Sequence, residues 1–450
     1  MKKTLSVILI IMLLMSLTGC GSETLTRNVV VEGSIFGGNA AESISEELRF
    51  NPDWLTKGDN SEYSGDLASF AALLSADSYF REKDLAKGTQ NRVLIDGLNA
   101  EDYTWTTMLS NLGFTDVRHI ESFQEKEYET DPNDSVTMNM GYMQSGDYDI
   151  YVVSIRGCFS SGEWVSAFDP GADTPEYVEM TGEHPEWPNK VNMKGLDVAA
   201  SRAMQFVNTF MSEHEDARRK SCVLVTGHSR GGSLAQIVGA YLEKADVEKS
   251  FTYTFNSMPC TSDAGAEAYE TIFNIVDDAD FFGNLFSFSD ELLYRYGTTL
   301  RGRGEVDAIS PEQMMEYSYL FANHFKDRAS LYEKKSYSSD FDTADPGCAD
   351  EAAENLNSII SPETGLGLEG LISVSKSSDF SITVEYCDAA QIQCIGKVLT
   401  YGASAADAVK TLFVPDAEFC EIIDFITAHS AEISAGHLLM NTYALSRTFD

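Results

Sequence analysis

The sequence predicts an α/β fold: a mostly parallel sheet flanked by helices, carrying an insertion toward the C-terminus. Three observations predict it. Short β-branched and aromatic runs recur at Asp149–Ile155, Val223–Val225, Phe251–Phe255 and Thr271–Val276. Segments of helical spacing lie between them, over 195–215 and 233–243. Strand and helix alternate, as successive βαβ units require. Apolar residues make up 43% of the 450, enough to bury the core of one large domain.

Taken in order, the chain opens with Lys2 and Lys3 ahead of the apolar run Leu5–Leu17, which is short for a membrane span. Leu17-Thr18-Gly19-Cys20 resembles the lipobox of bacterial lipoproteins. The resemblance implies that residues 1–19 are a signal peptide and that Cys20 carries lipid. The mature chain would then sit on the extracytoplasmic face of a bacterial membrane, held by its acyl chains. Residues 20–45 are expected to be a tether, since Gly21 to about Asn39 shows no helical period. Residues 46–450 form the folded domain. Within it, 64–80 and Trp105–Leu112 read as helices, ahead of the strands named above. Residues 334–366, rich in Ser, Asp, Gly and Pro, read as loops, and about 334–400 as an insertion. Phe380–Tyr386 alternates, so 370–400 is expected to hold a small antiparallel unit, and 404–429 a helix.

Charge excludes some partners. With 32 basic residues against 70 acidic ones, the net charge is −38, a surface that repels nucleic acid and anionic lipid. Membrane attachment must therefore come from the lipid anchor. Besides Cys20, seven cysteines are scattered without a zinc-type pair. Cys222, Cys260 and Cys420 sit in apolar runs and read as buried residues. Cys387 and Cys394 are spaced so that a disulfide is conceivable. No metal-ligand pattern such as His-x-x-x-His stands out, and no cofactor is expected.

The chemistry is concentrated at Gly227-His228-Ser229-Arg230-Gly231-Gly232. A β-branched strand ends in Gly-x-Ser-x-Gly and a helix starts at once, the setting of a nucleophile elbow. Glycines relieve crowding in so sharp a turn, and the helix N-terminus favours developing negative charge. A serine nucleophile needs a base, and the base needs an orienting acid. In the order Ser, Asp or Glu, His, each group follows a strand. Downstream of Ser229, the strand at 271–276 ends in Asp277, Asp278 and Asp280, and the histidines are His324, His429 and His437. His324 lies on an apparent helix and His429 at a helix C-terminus. His228 is too close to Ser229 to serve as base. His119, His184 and His214 precede the nucleophile and read as surface residues.

These motifs resemble the class 3 (fungal-type) lipase family, most closely its bacterial Gly-His-Ser-Arg-Gly-Gly members, over most of residues 50–300. Ser154-Ile155-Arg156-Gly157-Cys158 with Glu163-Trp164 is similar to that family's oxyanion strand. Tyr253–Pro259, Asn274–Phe282 and Arg295-Tyr296-Gly297 match further segments in order. The resemblance implies an α/β-hydrolase with catalytic Ser229, Asp280 and His437, and with oxyanion N–H groups from Cys158 and Arg230. It implies hydrolysis of carboxylic esters, acylglycerols or other lipids, through an acyl-enzyme. An acyltransferase or thioesterase could use the same residues, and a binding lipoprotein could keep the fold without the chemistry. Residues 159–193 fall where the family carries its lid. Two departures stand out: Cys158 replaces a Thr or Ser, and a long stretch separates Asp280 from His437.

Overall fold

The structure is a computed structural model. It describes residues 24–34, 41–80, 92–121, 135–159, 161–169, 192–245, 247–285, 293–304, 309–326, 331–341, 347–361 and 365–449. Residues 1–23, with Cys20, and 170–191, most of the expected lid, lie outside the described residues, as does His184.

The chain starts with β1 (Leu25–Ser34), β2 (Ala41–Phe50) and β3 (Arg92–Ile95), which pair antiparallel in the order β2-β1-β3. The expected tether therefore contains strands. Its Val29-Val30-Val31 run explains the difference: Val29 and Val31 are buried and stand opposite Ile95 and Val93. The expected helix over 64–80 is α1 (Gly65–Asp77), capped by Ser64, whose Oγ accepts from the Leu67 N–H at 3.3 Å.

The central sheet has seven strands, β4 (Asp116–Glu121), β5 (Thr137–Ser145), β6 (Tyr148–Ile155), β7 (Lys220–His228), β8 (Lys249–Phe255), β9 (Ile272–Asp277) and β10 (Thr298–Gly302). They run side by side in that sequence order. β6 to β10 are parallel, whereas β4 and β5 are antiparallel. The crossovers between parallel strands include α2 (Lys194–His214) and α3 (Arg230–Lys244).

Both faces of the sheet are covered, so its strands read as continuous apolar runs rather than alternating ones. In β7, Val223 and Val225 join the core under α2 and α3, while Cys222 and Leu224 join the core under α1. This is the α/β-hydrolase arrangement that the motifs imply. Ladder register aligns the strand ends. Ile155 stands beside Gly227, His228 beside Phe255, and Phe255 beside Ile275. The carboxyl ends of β6 to β9 thus lie along one edge, where ligand sites form in such sheets.

Beyond β10 come α4 (Pro311–Lys326), β11 (Lys335–Asp340), α5 (Cys348–Ile360), β12 (Ser373–Ser378), β13 (Ser381–Tyr386), α6 (Asp388–Tyr401), α7 (Ala403–Leu412), α8 (Ala417–Ala428) and α9 (Leu439–Ser446). The antiparallel unit exists as a three-stranded sheet, β11-β13-β12. α5 occupies part of the stretch read as loops. The helix expected over 404–429 is two helices. Pro415 has no N–H to continue α7, and Asp416 starts α8 by accepting from the Phe419 N–H at 3.1 Å. Cys387 and Cys394 are both free thiols, so the conceivable disulfide is not formed. Cys222 and Cys260 are buried as expected, and Cys420 half-buried.

Candidate active site

Ser229 follows β7 and caps the N-terminus of α3 with φ 56° and ψ −131°. A non-glycine residue seldom adopts positive φ, and such strain persists only where its surroundings enforce it. Here two close approaches enforce it. A Cβ on Gly227 would lie 2.8 Å from the Gly232 N, and one on Gly231 would lie 2.6 Å from the Arg156 carbonyl carbon. Only glycines let the strand, the turn and the end of β6 come together this tightly. The Ser229 N–H donates to the Phe255 carbonyl of β8 at 2.9 Å, which pins the turn to the sheet.

His437 arrives 208 residues later and meets this serine: Nε2 and Ser229 Oγ are 2.8 Å apart. Its Nδ1 lies 2.9 Å from Oδ1 of Asp280, which is fully buried just past β9. Asp280 also accepts the backbone N–H groups of Phe282 at 3.1 Å and Gly283 at 2.8 Å. A carboxylate can only accept, so Nδ1 carries the proton and the Nε2 lone pair faces the serine hydroxyl. Of the three histidines open on the sequence, the structure brings His437 to Ser229. His324 is buried among Gln391, Asp416 and Glu418. His429 ends α8 with its ring 4.7 Å from that of Phe425. Asp277 accepts from the Ala279 and Gly304 N–H groups, and Asp278 pairs at the surface with Arg301. His119 and His214, read as surface residues, are half-buried, stacked on Trp105 and Tyr142.

His228 is buried beside this line, and burial, then the neighbouring His437, holds its pKa well below the usual imidazole value. It is neutral and its tautomer is determined. Nε2–H donates to the His437 carbonyl at 3.0 Å, so Nδ1 accepts from the Tyr79 hydroxyl at 2.9 Å. That hydroxyl also takes a hydrogen bond from the Gly157 backbone. Asn256, at φ 45° just past β8, donates Nδ2–H to the Gly436 carbonyl at 3.2 Å. Its Oδ1 accepts from the Asp277 N–H at 2.9 Å. The sequence reading missed Tyr79 and Asn256. A signal existed for Asn256, because Asn directly after a strand is a residue that tolerates the left-handed region.

Arg230 follows Ser229 within the elbow, and Cys158 lies just past the end of β6 that packs against it. Among the described residues, no backbone carbonyl takes up either N–H. The Cys158 thiol points elsewhere, donating to the Glu163 carbonyl at 3.4 Å, and burial pushes its pKa up to about 12. It is a thiol, and a committed one. The turn is braced by a buried ion pair, Arg156 to Glu163 at 3.2 Å, and Glu163 also accepts from the Phe159 N–H at 2.8 Å. The Arg230 side chain reaches back to the Ser135 carbonyl and the Ser166 hydroxyl. Arg295, buried, donates to the Ser257 and Gly283 carbonyls and so ties the β8 end to the Asp280 turn.

A family model described as Lipase (class 3) matches residues 152–289, under a third of the chain. The match takes in Cys158, Ser229 and Asp280 and ends before His437. Among solved structures the chain is similar to a triacylglycerol lipase from Penicillium expansum, with 19% identity, 42% of this chain and 68% of that one covered, and a TM-score of 0.29. It is similar to the nonglycosylated Lip2 lipase of Yarrowia lipolytica, with 14% identity, coverage of 52% and 78%, and a TM-score of 0.36. M37 lipase gives 12% identity, coverage of 59% and 92%, and a TM-score of 0.35. No curated protein matches the chain. The family match puts the chain among carboxylic ester hydrolases.

Proposed function

We propose that the chain hydrolyses lipid esters, acylglycerols among them, by way of a Ser229 acyl-enzyme. One observation carries this reading: the hydrogen-bonded line Ser229–His437–Asp280, with spacings of 2.8 and 2.9 Å. The Ser229 Oγ–H proton passes to His437 Nε2 as Oγ bonds to the ester carbon. Negative charge gathers on the carbonyl oxygen, where the backbone N–H groups of Cys158 and Arg230 receive it. His437 returns its proton to the departing alcohol as the ester C–O bond breaks. Water, deprotonated by the same nitrogen, then releases the acid. Asp280 keeps the proton on Nδ1 and stabilises the imidazolium. The side chains present supply every proton transfer in this scheme.

The same proposal extends to location. Lys2, Lys3, the Leu5–Leu17 run and Cys20 support a signal peptide over residues 1–19 and a lipid on Cys20, with the enzyme outside a bacterial membrane. The test takes protein lacking residues 1–20 and its Ser229→Ala variant through p-nitrophenyl esters of short and long acyl chain. Turnover that disappears in the variant, with covalent fluorophosphonate labelling lost in parallel, is the expected result. Equal turnover in both proteins would overturn it. Labelling the full chain with a radioactive fatty acid, with Cys20→Ala as control, tests the anchor separately.

A further inference from the structure

We infer that the enzyme selects esters bearing a negative charge, held by Lys397 in a groove that opens from the oxyanion turn. The inference rests on the ester-hydrolase reading above and names the substrate class of that site. The groove encloses about 500 Å³, part of it open to solvent, between the turn after β6 and helix α6. Phe159, Trp164, Lys397, Thr400 and Tyr401 line it, and no carboxylate does among the described residues.

Its place beside the chemistry follows from two connections. Phe159 is the residue after Cys158. Trp164 meets Phe282 edge-to-face at 5.2 Å, and Phe282 meets the His437 ring in the same way at 5.1 Å. Groove and imidazole therefore share the Trp164–Phe282 wall. The opposite wall is α6, whose Gly396 would bring a Cβ only to ordinary contact, 3.7 Å, with the Trp164 ring. α6 lies outside the 152–289 match, so this wall is supplied by the long stretch that separates Asp280 from His437.

The lining has two characters. Phe159 and Tyr401 remain exposed, at 37% and 63%, and Trp164 offers part of its ring. They provide apolar surface that an acyl or glycerol moiety would cover. Lys397 provides a half-buried ammonium with no acidic partner among the described residues, in a chain where acids outnumber bases more than two to one. Lys335, Lys376 and Lys410, by contrast, are all paired with aspartates. An ammonium beside aromatic surface suits an amphiphile with one anionic group. That group can sit on the alcohol, as a glycerol phosphate, or at the far end of the acyl chain, as a carboxylate.

Two pairs of substrates test this in the Ser229-dependent assay. The first is 1-acylglycerol against 1-acylglycerol 3-phosphate, and the second p-nitrophenyl valerate against mono-p-nitrophenyl glutarate. The wild-type protein is expected to favour the anionic member of one pair, which identifies the source of the charge. Lys397→Gln should lower kcat/KM for that member about five-fold, through KM, and leave its neutral counterpart within about two-fold. Lys397→Glu should deepen the loss, and rising ionic strength should erode the wild-type preference. No anionic preference in either pair, or equal loss on neutral and anionic esters, would overturn the inference while leaving ester hydrolysis standing. Absence of Ser229-dependent turnover on every ester would overturn the underlying reading instead.

Discussion

Replacing Asp280 by Asn changes one atom and reverses what His437 can do. Oδ1 of Asp280 serves both the Phe282 N–H and His437 Nδ1, and Oδ2 serves the Gly283 N–H. All three neighbours donate, and a carboxylate answers all three. An amide answers only some of them. With its oxygen toward His437, the amide turns its NH₂ group against the Gly283 N–H. Turned over, it confronts the Phe282 N–H but donates to Nδ1, and the imidazole proton moves to Nε2. Each orientation leaves one buried donor opposed, at about 1–3 kcal/mol. Neither is preferred on that account, and each keeps one bond to Nδ1: the first leaves a neutral amide that stabilises an imidazolium poorly, and the second puts the imidazole proton on Nε2. In that tautomer Nε2 points a proton at Ser229 and cannot receive one. We therefore expect Asp280→Asn to lower kcat for p-nitrophenyl esters about 10⁴-fold, roughly 5 kcal/mol of barrier, with KM nearly unchanged. A thermal midpoint lowered by no more than that single donor predicts would show that the loss is chemical and not unfolding. A variant with kcat within about ten-fold of wild type would refute the tautomer assignment and with it the role given to Asp280.

Two other substitutions test the frame around the site. Gly231→Ala would drive a Cβ to 2.6 Å from the Arg156 carbonyl carbon, a contact with main chain that no rotamer relieves. A loss of stability above about 4 kcal/mol in urea unfolding is expected, and a variant with unchanged midpoint would show that the elbow is not held as tightly as described. Asp77 is buried at the end of α1, and burial raises its pKa from 3.8 to about 8. Between those values the folded chain binds the extra proton, so this group's stabilising contribution is complete below pH 3.8 and is lost as pH rises to about 8. Asp77→Asn should raise the thermal midpoint at about pH 8 and change it little at about pH 4. The opposite order would show that the carboxylate is ionised and paired in the folded state.

The fold was legible where a strand's own composition betrayed it. β6 through β9 are buried on both faces, so their apolar runs stand out, and the two central helices lie close to the expected spans. The elbow was legible because its glycines are demanded by main-chain approach, which leaves a local mark. The segments β1 and β2 are sequence neighbours that pair with each other, but they escaped because what buries β1 is distant in the chain: Val29 and Val31 stand against Ile95 and Val93 of β3. Their polar faces look like linker, and only the Val29–Val31 run, read together with β3, indicates a sheet. That His437, of the three histidines, lies beside Ser229 was legible only through resemblance. Nothing near His324, His429 or His437 in the chain encodes proximity to residue 229, because that proximity is created by packing across 208 positions. Cys158 gives the reverse case. It stands where the resembled family has Thr or Ser, yet the hydrogen bond to the Glu163 carbonyl takes its side chain elsewhere, so the proposed oxyanion role falls to its N–H alone.

How a histidine so late in the chain is brought to register explains why the long intervening stretch is tolerated. The turn that carries His437 is gripped from the sheet. His228, at the end of β7, donates to the His437 carbonyl at 3.0 Å. Asn256, at the end of β8, donates to the Gly436 carbonyl at 3.2 Å. Asp280, beyond β9, holds the ring itself. Three adjacent strand ends thus fix His437, and their spacing is set by ladder register, not by α4 to α8. The neutrality of His228 matters here. A protonated ring would have no acceptor for the Tyr79 hydroxyl, and would place a cation beside the imidazolium that the proposed mechanism requires of His437. Burial prevents both. With His437 anchored in this way, the stretch between Asp280 and His437 is free to build an additional wall, and α6 has placed one against Trp164. On the proposed reading, the chemistry belongs to the sheet edge, and discrimination among esters to what the later helices set beside it.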